Sequence, residues 1–285
     1  MPELPEVEIT RRGLLPLVNQ TVANVVIRNA SMRWPIPDHL PQTLQRQQLI
    51  TLTRRAKYIL ATFSHATDKK LSGTLLLHLG MSGRITLLDR NYPPEKHDHF
   101  DIVFNDENGN EGQVLRLRDP RRFGAVLWAG EQPHDHPLIA ALGPEPLDDL
   151  FNANYLKAQL KTRTVAIKIA IMDAHTVVGV GNIYASESLF RARIHPETPA
   201  KNITLMQCKK LVAEIKQTLN DALEAGGSSL RDFFGATSNP GYFQQEHLVY
   251  ARTNEPCKVC GKPIKCIRLG QRSTFYCEIC QKVNR

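Results

Sequence analysis

Residues 257–280 read CKVCGKPIKCIRLGQRSTFYCEIC and contain two CxxC pairs, Cys257 with Cys260 and Cys277 with Cys280. Four thiolates brought to one point satisfy the tetrahedral coordination of Zn²⁺, and each pair can form a tight metal-binding turn. Disulfides are a poor alternative, because the chain begins MPELPEVE, without the apolar segment of a secretory signal. We therefore expect a C-terminal hairpin that holds one structural zinc and leaves no coordination position open for water.

The formal net charge of +8 is unevenly distributed along the chain. Residues 1–150 contain 17 Lys and Arg against 18 Asp and Glu, whereas residues 151–285 contain 19 against 10. A basic half favours a polyanionic partner, nucleic acid before a membrane surface, although a basic surface that serves only solubility is an alternative. No apolar run approaches the roughly 18 residues of a membrane span, so we expect a cytoplasmic protein with no membrane partner.

Hydrophobic patterning divides the chain into a strand-rich part and a helical part. It predicts a helix from Pro5 to Val18, short strands from Thr21 to about Gly130, and four helices between Asn154 and Ala225. Short strands at this spacing are typical of a sandwich or barrel, which makes the chain an α+β multidomain protein. The expected parts are a sandwich domain with an N-terminal helix (1–131), a linker (132–151), a helical domain (152–235) and the zinc hairpin with its preceding loop (236–285).

Pro2 is the most unusual candidate for chemistry. If Met1 is removed, Pro2 becomes an N-terminal secondary amine, and an α-amino group has a pKa of about 8 against about 10.4 for lysine. Such an amine can attack an aldehyde-like carbon and form an iminium ion, with Glu3 as a proton-transfer carboxylate. On the local pattern alone, however, Pro and Glu are ordinary residues at the start of a helix.

Four further residues are ambiguous when each is taken singly. Strand alternation in RRAKYIL places Lys57 on one face with Arg55, and this face is either functional or merely solvated. Arg121 and Phe123 in DPRRFG suit stacking on bases, but they also suit an ion pair and a core position. Met81 in HLGMSG would ordinarily be a core residue.

A glycine-rich turn, VGVGN, precedes a predicted helix. Asn182 is the expected N-cap of that helix, and the exposed N–H groups of such a turn suit a phosphate. A plain capped helix is the alternative.

Taken together and in order, the motifs resemble those of the bacterial formamidopyrimidine-DNA glycosylases. The similarity extends from Met1 to Lys282 and rests on the motifs PELPEVE, RRAKY, HLGMSG, PPEKHDH, DPRRFG, GPEPL, VVGVGNIYASESLF and QRSTFYC. The resemblance implies an enzyme that removes oxidised purines, such as 8-oxoguanine and formamidopyrimidines, from duplex DNA. It further implies a lyase activity that cleaves the abasic strand by β,δ-elimination.

The resemblance assigns catalytic roles to four residues. Pro2 would attack C1′ of the damaged nucleotide and leave an imine to the sugar, while Glu3 would serve ring opening and proton transfer. Lys57 would donate a proton in β-elimination and contact phosphate. Arg272 would hold phosphate around the lesion and assist δ-elimination, so that the zinc serves catalysis by positioning this arginine.

A second set of residues is implied to bind DNA. Met81, Arg121 and Phe123 would enter the duplex where the lesion is flipped out, and Arg121 would contact the orphaned cytosine. The remaining DNA contacts are assigned to His97, Arg163, Lys168 and Asn182. Arg163 departs from the family pattern, which often has Lys at this position, so its contact is less closely specified.

The implied fold is a β-sandwich with an N-terminal helix, a helix–two-turn–helix module and a zinc hairpin, with damaged double-stranded DNA between the halves. The loop at 231–243 matches the region that covers the lesion. We expect a monomer that needs no small-molecule cofactor.

An endonuclease VIII-like glycosylase for oxidised pyrimidines is one alternative, disfavoured by PELPEVE and by the set of Met81, Arg121 and Phe123. A non-catalytic zinc-ribbon DNA-binding protein is another, and it predicts no special role for Pro2.

Overall fold

The computed structural model describes residues 2–106, 108–227 and 247–282. The chain divides into two compact units, one formed by Met1–Ala140 with Gly226–Gln244 and the other by Ala141–Ala225 with Gln245–Arg285. The loop at 231–243, assigned above to the lesion, lies outside the described residues. Within the described ranges, no helix is both long and apolar enough to cross a membrane.

The first unit contains a β-sandwich preceded by a helix. Its helices are α1 (Leu4–Gly13), α2 (Leu40–Leu44) and α3 (Pro137–Ala140), with 3₁₀ turns at Leu15–Leu17 and Pro133–Asp135. Its strands are β1 (Val22–Ile27), β2 (Gln47–Arg55), β3 (Tyr58–His65), β4 (Leu71–His78), β5 (Arg84–Asp89), β6 (Asp98–Asn105), β7 (Glu111–Arg118) and β8 (Ala125–Trp128). They pair antiparallel in two sheets of order β1-β6-β7-β5 and β2-β3-β4-β8. Apolar residues of both sheets, including Phe63, Leu75 and Phe100, form one core, which confirms the predicted sandwich.

Helix α1 begins as predicted but ends earlier. Pro5 occupies its first turn, and Arg11 and Arg12 lie in its last turn, where their charges suit the helix dipole. The helix ends at Gly13 rather than Val18, and the chain continues in the 3₁₀ turn that contains Pro16. The missing N–H of proline, and its clash with the preceding residue, explain this early end.

The sequence from Gln48 to Phe63 forms two strands and the turn between them. Arg55 at the end of β2 pairs with Tyr58 at the start of β3, so Ala56 and Lys57 form a two-residue hairpin turn. The expectation that strand alternation places Arg55 and Lys57 on one face is therefore wrong. Ala56 has a φ of 54°, where Gly or Asn would be the usual signal of a turn.

The described residues of the second unit form four helices and the C-terminal hairpin. The helices are α4 (Ala153–Leu160), α5 (Ile167–Met172), α6 (Asn182–Ala192) and α7 (Leu205–Glu224), with a 3₁₀ turn at Ala200–Asn202. Strands β9 (Lys265–Leu269) and β10 (Arg272–Tyr276) pair antiparallel. Asn152 caps α4 and Thr204 caps α7 through their side chains. The N-cap of α6 is Gly181, so the expectation that Asn182 fills that position is wrong, and its side chain bonds elsewhere.

Candidate active site and nucleic-acid interface

The residues after Met1 lie at the start of α1 against a buried carboxylate. Glu6 Oε2 accepts a hydrogen bond from the Glu3 backbone N–H at 2.8 Å, and the Glu3 side chain reciprocates to complete a capping box. Glu3 is 1% exposed and Glu6 is 2% exposed, whereas Pro2 is half-buried. The structure therefore places a fixed, buried carboxylate next to the predicted nucleophile.

A network around Glu8 connects α1 to the turn that carries Lys57. The Glu8 carboxylate accepts from Arg11 at 2.8 and 3.0 Å, and Arg54 Nε lies 3.4 Å from it. Arg54 also donates to the carbonyl oxygen of Ala56 at 3.0 Å, immediately before Lys57. Burial raises the pKa of Glu8, but the hydrogen bonds from arginine lower it by more, so this carboxylate stays ionised within the network.

His78, the last residue of β4, is a site residue that the sequence analysis missed. Its ring centroid lies 4.7 Å from that of Tyr58, and its Nδ1 accepts a hydrogen bond from the Gly80 N–H at 3.1 Å. Burial, followed by the charges of Lys57 and Arg33, lowers the pKa of His78 to about 4. His78 is therefore neutral at pH 7, and with Nδ1 accepting, its proton resides on Nε2.

His78 and Lys57 together offer donors that suit a phosphate oxygen. The signal that could have revealed His78 was its position at the start of the HLGMSG motif, three residues before Met81.

Met81, Arg121 and Phe123 lie on two loops, 79–83 and 119–124, that pack against each other. Gly80 adopts a φ of 61°, and a Cβ at that position would overlap the backbone of Phe123. The Arg121 guanidinium carbon lies 4.8 Å from the centroid of the Phe123 ring. Phe123 is 41% exposed, Arg121 is exposed and Met81 is half-buried. An exposed aromatic ring covered by a cation is suited to stack on a base.

His97 ends the loop between β5 and β6 and has a φ of 76°. Its carbonyl oxygen accepts the Asp119 backbone N–H at 3.0 Å, and this hydrogen bond connects His97 to the loop 119–124. The next residue, Asp98, is paired with Arg118 at 2.6 Å. Burial raises the pKa of Asp98, but this hydrogen bond contributes to a net lowering, so the pair that anchors the loop is ionic.

Lys168 is fully buried in the second unit, where it joins α5 to α6 and β10. Its Nζ donates to Asn182 Oδ1 at 2.6 Å, to Thr274 Oγ1 at 2.7 Å and to the Ser273 carbonyl at 3.1 Å. Asn182 Nδ2 donates to the same carbonyl at 3.0 Å. The adjacent Arg272 is exposed. This enclosure favours a role for Lys168 in positioning Asn182 and β10 over a direct contact with DNA.

Arg163 is oriented by a carboxylate of the same unit. Its Nη1 donates to Asp173 Oδ2 at 2.7 Å, while His175 Nδ1 lies 2.9 Å from Asp173 Oδ1. Burial raises the pKa of Asp173, but hydrogen bonds from His175 and Arg163 outweigh it and lower the value to about 2. Arg163 is half-buried, so the pair directs a guanidinium at the surface of the helical unit.

The four predicted zinc ligands converge on one point. All four Sγ atoms of Cys257, Cys260, Cys277 and Cys280 lie within 4.8 Å of one another, with two pairs at 3.4 and 3.9 Å. Tetrahedral Zn²⁺ with bonds of ~2.3 Å places its sulfur ligands about 3.8 Å apart, so the cluster fits this ion. The site is structural because four protein thiolates fill the coordination sphere.

The zinc hairpin is anchored to α6 by buried polar contacts. Glu187, which is 4% exposed, accepts the backbone N–H groups of Leu248, Val249 and Tyr250 at 2.8 to 2.9 Å. Gln281 connects the Cys277 N–H to the carbonyl of Ile194, with both bonds at 2.9 Å. The hairpin that carries Arg272 is thereby held to the helices of its own unit.

The β-sandwich with Glu3 buried beside Pro2, the helical unit and the four-cysteine hairpin together form the architecture of a DNA-repair glycosylase. The chain belongs to the formamidopyrimidine-DNA glycosylase family. Residues 1–126 match the model of the formamidopyrimidine-DNA glycosylase N-terminal domain, residues 142–234 that of its H2TH domain, and residues 254–283 that of a zinc finger found in FPG and IleRS.

Relatives of the chain are similar over its whole length. The formamidopyrimidine-DNA glycosylase of Methylobacillus flagellatus is 63% identical over 282 residues, which cover 99% of this chain and 97% of that protein. A complex of Lactococcus lactis Fpg (MutM) with DNA that contains N7-benzyl-Fapy-dG matches with a TM-score of 0.86, 31% identity and coverage of 99% and 100%. A MutM complex with DNA that contains carbocyclic 8-oxo-G matches with a TM-score of 0.85, 31% identity and the same coverage.

Proposed function

We propose that this protein excises oxidised purines, including 8-oxoguanine and formamidopyrimidines, from duplex DNA and then cleaves the abasic strand. The observation that carries this proposal is the buried Glu3 directly after Pro2, whose carboxylate accepts the Glu6 backbone N–H while its own backbone N–H donates to Glu6 Oε2 at 2.8 Å. The nucleotides in the two similar DNA complexes, N7-benzyl-Fapy-dG and carbocyclic 8-oxo-G, support the choice of substrate.

The excision step follows from the chemistry of a secondary amine. After removal of Met1, the Pro2 nitrogen attacks C1′, and the glycosidic bond breaks with its electron pair leaving on the base. The Glu3 carboxylate takes the proton from the attacking Pro2 nitrogen and passes it to O4′ as the C1′–O4′ bond opens, which leaves an iminium ion between Pro2 and the sugar. Loss of a C2′ proton expels the 3′ phosphate, and a second elimination expels the 5′ phosphate.

Both units contribute phosphate ligands in this proposal. In the first unit, the phosphate ligands are Lys57 and the Nε2–H of His78. In the second unit, they are Arg272 and Asn182, and the Asn182 side chain is held by Lys168 at 2.6 Å. Neutral His78 adds a hydrogen bond without further charge, because Lys57 and Arg33 already provide cations nearby.

The paired loops supply the groups that replace an extruded nucleotide. Extrusion costs a few kcal/mol, and stacking on an aromatic ring is worth roughly 1–3 kcal/mol. Phe123 and Met81 occupy the stack, and Arg121 pairs with the base left opposite the lesion. His97 and Arg163 complete the backbone contacts.

Borohydride trapping on a duplex with one 8-oxoguanine opposite cytosine tests the proposal. We expect a covalent adduct whose peptide map places the sugar on the Pro2 nitrogen, since borohydride reduces an iminium ion to a stable amine. The same duplex with undamaged guanine is the control. Absence of an adduct despite intact binding would contradict the proposal, and trapping on thymine glycol alone would favour the pyrimidine-directed alternative.

A further inference from the structure

Asp119 is a fully buried carboxylate that no step of the proposed reaction uses. Its Oδ1 accepts the Ser82 hydroxyl at 2.6 Å, and its Oδ2 accepts the Gly124 N–H at 2.7 Å. The Arg121 N–H lies 3.3 Å from Oδ1. Short hydrogen bonds from a hydroxyl and backbone amides to a buried carboxylate fix the groups that donate them.

Ser82 connects the two loops that carry the DNA-probing side chains. Its oxygen donates to Asp119 and also accepts the Arg121 N–H at 3.2 Å. Ser82 follows Met81 directly, and Arg121 is two residues before Phe123. One hydroxyl therefore connects the backbone of one loop to the carboxylate and backbone of the other.

The backbone on both sides of this contact has little room to shift. A Cβ at Gly124 would lie 2.7 Å from the carbonyl oxygen of His78 and 3.2 Å from Asp119 Oδ2. The main chain of Asp119 is itself held, because its N–H donates to His97 and its carbonyl oxygen lies 2.9 Å from His99 Nε2. The main chain of Asp119 is thus fixed relative to β6, and its carboxylate in turn fixes both loops.

We propose that Asp119, acting through Ser82, is a positioning residue that holds the loops 79–83 and 119–124 as one rigid wedge. Met81 on the first loop and Phe123 on the second then enter the duplex together, and Arg121 meets the opposite base in a set register. This inference rests on the proposed function, since it specifies how that site engages a nucleotide before chemistry. It assigns Asp119 no contact with DNA.

The step that depends on this wedge is extrusion of an intact, stacked nucleotide. A pre-formed abasic site has no base to unstack, so its cleavage depends less on the register of the loops. The proposal therefore predicts a split between excision and abasic-strand cleavage, whereas a general loss of stability would lower both.

Single-turnover assays on full-length Ser82→Ala, Ser82→Thr and Asp119→Asn test this split. Ser82→Ala keeps the charge of Asp119 but removes the bridge, so we expect excision of 8-oxoguanine opposite cytosine to slow roughly tenfold, as for loss of one charge-assisted hydrogen bond. Ser82→Thr keeps the hydroxyl and should retain wild-type rates. Asp119→Asn should slow excision further, and cleavage of a pre-formed abasic duplex should stay within about twofold of wild type in all three.

A 2-aminopurine placed beside the lesion reports entry of the wedge directly and does not depend on the rates of the later chemical steps. Its fluorescence rises when the wedge unstacks the duplex, and we expect this rise to be lost in Ser82→Ala and kept in Ser82→Thr. Wild-type excision in both Ser82→Ala and Asp119→Asn, or equal loss of excision and abasic cleavage, would overturn the positioning role. If wild-type protein neither excises the base nor is trapped on it, the proposed function itself fails and the positioning role fails with it.

Discussion

Nζ of Lys168 lies 2.6 Å from Oδ1 of Asn182, and the lysine side chain has no exposed surface. We expect a cation enclosed in this way to affect DNA binding only through the groups it holds. It fixes the first residue of α6, and through Ser273 and Thr274 it fixes the strand that begins with Arg272.

The first prediction tests whether Lys168 positions other groups or binds a phosphate itself. Lys168→Met leaves buried acceptors without their donor, so the free energy of unfolding should fall by about 1–3 kcal/mol. The salt dependence of DNA binding should keep its slope, because no phosphate contact is removed. Arg272→Met is the matched control, and its slope of log K against log salt should decrease in magnitude by about one. An equal change in slope for Lys168→Met would show that Lys168 contacts phosphate directly.

The second prediction concerns acid. The folded protein holds the pKa of His78 at about 4, below the usual value of 6.5. As the pH falls, His78 therefore takes up a proton in the unfolded chain before it does so in the folded protein. The contribution of His78 to the free energy of unfolding is fully present above pH 6.5 and is lost as the pH falls towards 4. The shift corresponds to about 3 kcal/mol at most. Urea unfolding at pH 7 and pH 4.5 should show a smaller loss for His78→Gln than for wild type.

Leu15→Ala provides the control, because it changes an exposed side chain of the same unit that does not titrate. This variant should retain the full wild-type loss between the two pH values. An identical loss in wild type and His78→Gln would contradict the assignment.

The third prediction concerns the zinc site. Cys277→Ser should remove one of four ligands, so the protein should lose its equivalent of zinc. The hairpin should then unfold, and specific DNA binding should be lost. Structural zinc contributes roughly 10–16 kcal/mol to the folding of small zinc peptides, which is more than this hairpin can replace. Metal content and DNA affinity measure the effect. Cys266→Ser, at an exposed position outside the cluster, should bind zinc and DNA as wild type does.

The fourth prediction concerns the exposed ring of Phe123. Phe123→Ala should slow excision from duplex DNA by roughly 10- to 100-fold, the equivalent of one base–aromatic stack. Cleavage of pre-formed abasic DNA should remain largely intact. Leu15→Ala removes a similarly exposed apolar side chain of the same unit and should change neither rate. Equal losses of excision and abasic cleavage in Phe123→Ala would count against a wedge.

Local features of the sequence determined much of the architecture. The CxxC spacing identified all four ligands of the metal cluster, because each pair acts within one turn. Alternating and helical hydrophobic periods gave the order of sandwich and helices, since burial of one face determines the period. The ordered motifs identified the family, and they did so through residues such as Pro2 that look ordinary one at a time.

Tertiary structure decided which polar groups work together. The turn at Lys57 has no Gly or Asn, and it became visible only when β2 paired with β3. The neutral state of His78 depends on burial and on charges from Lys57 and Arg33, and the enclosure of Lys168 depends on a hairpin more than 100 residues away. Asp119 and Ser82 lie 37 residues apart. Hydrogen bonds and pKa values depend on distances in space, so no local pattern could show that this carboxylate joins two loops.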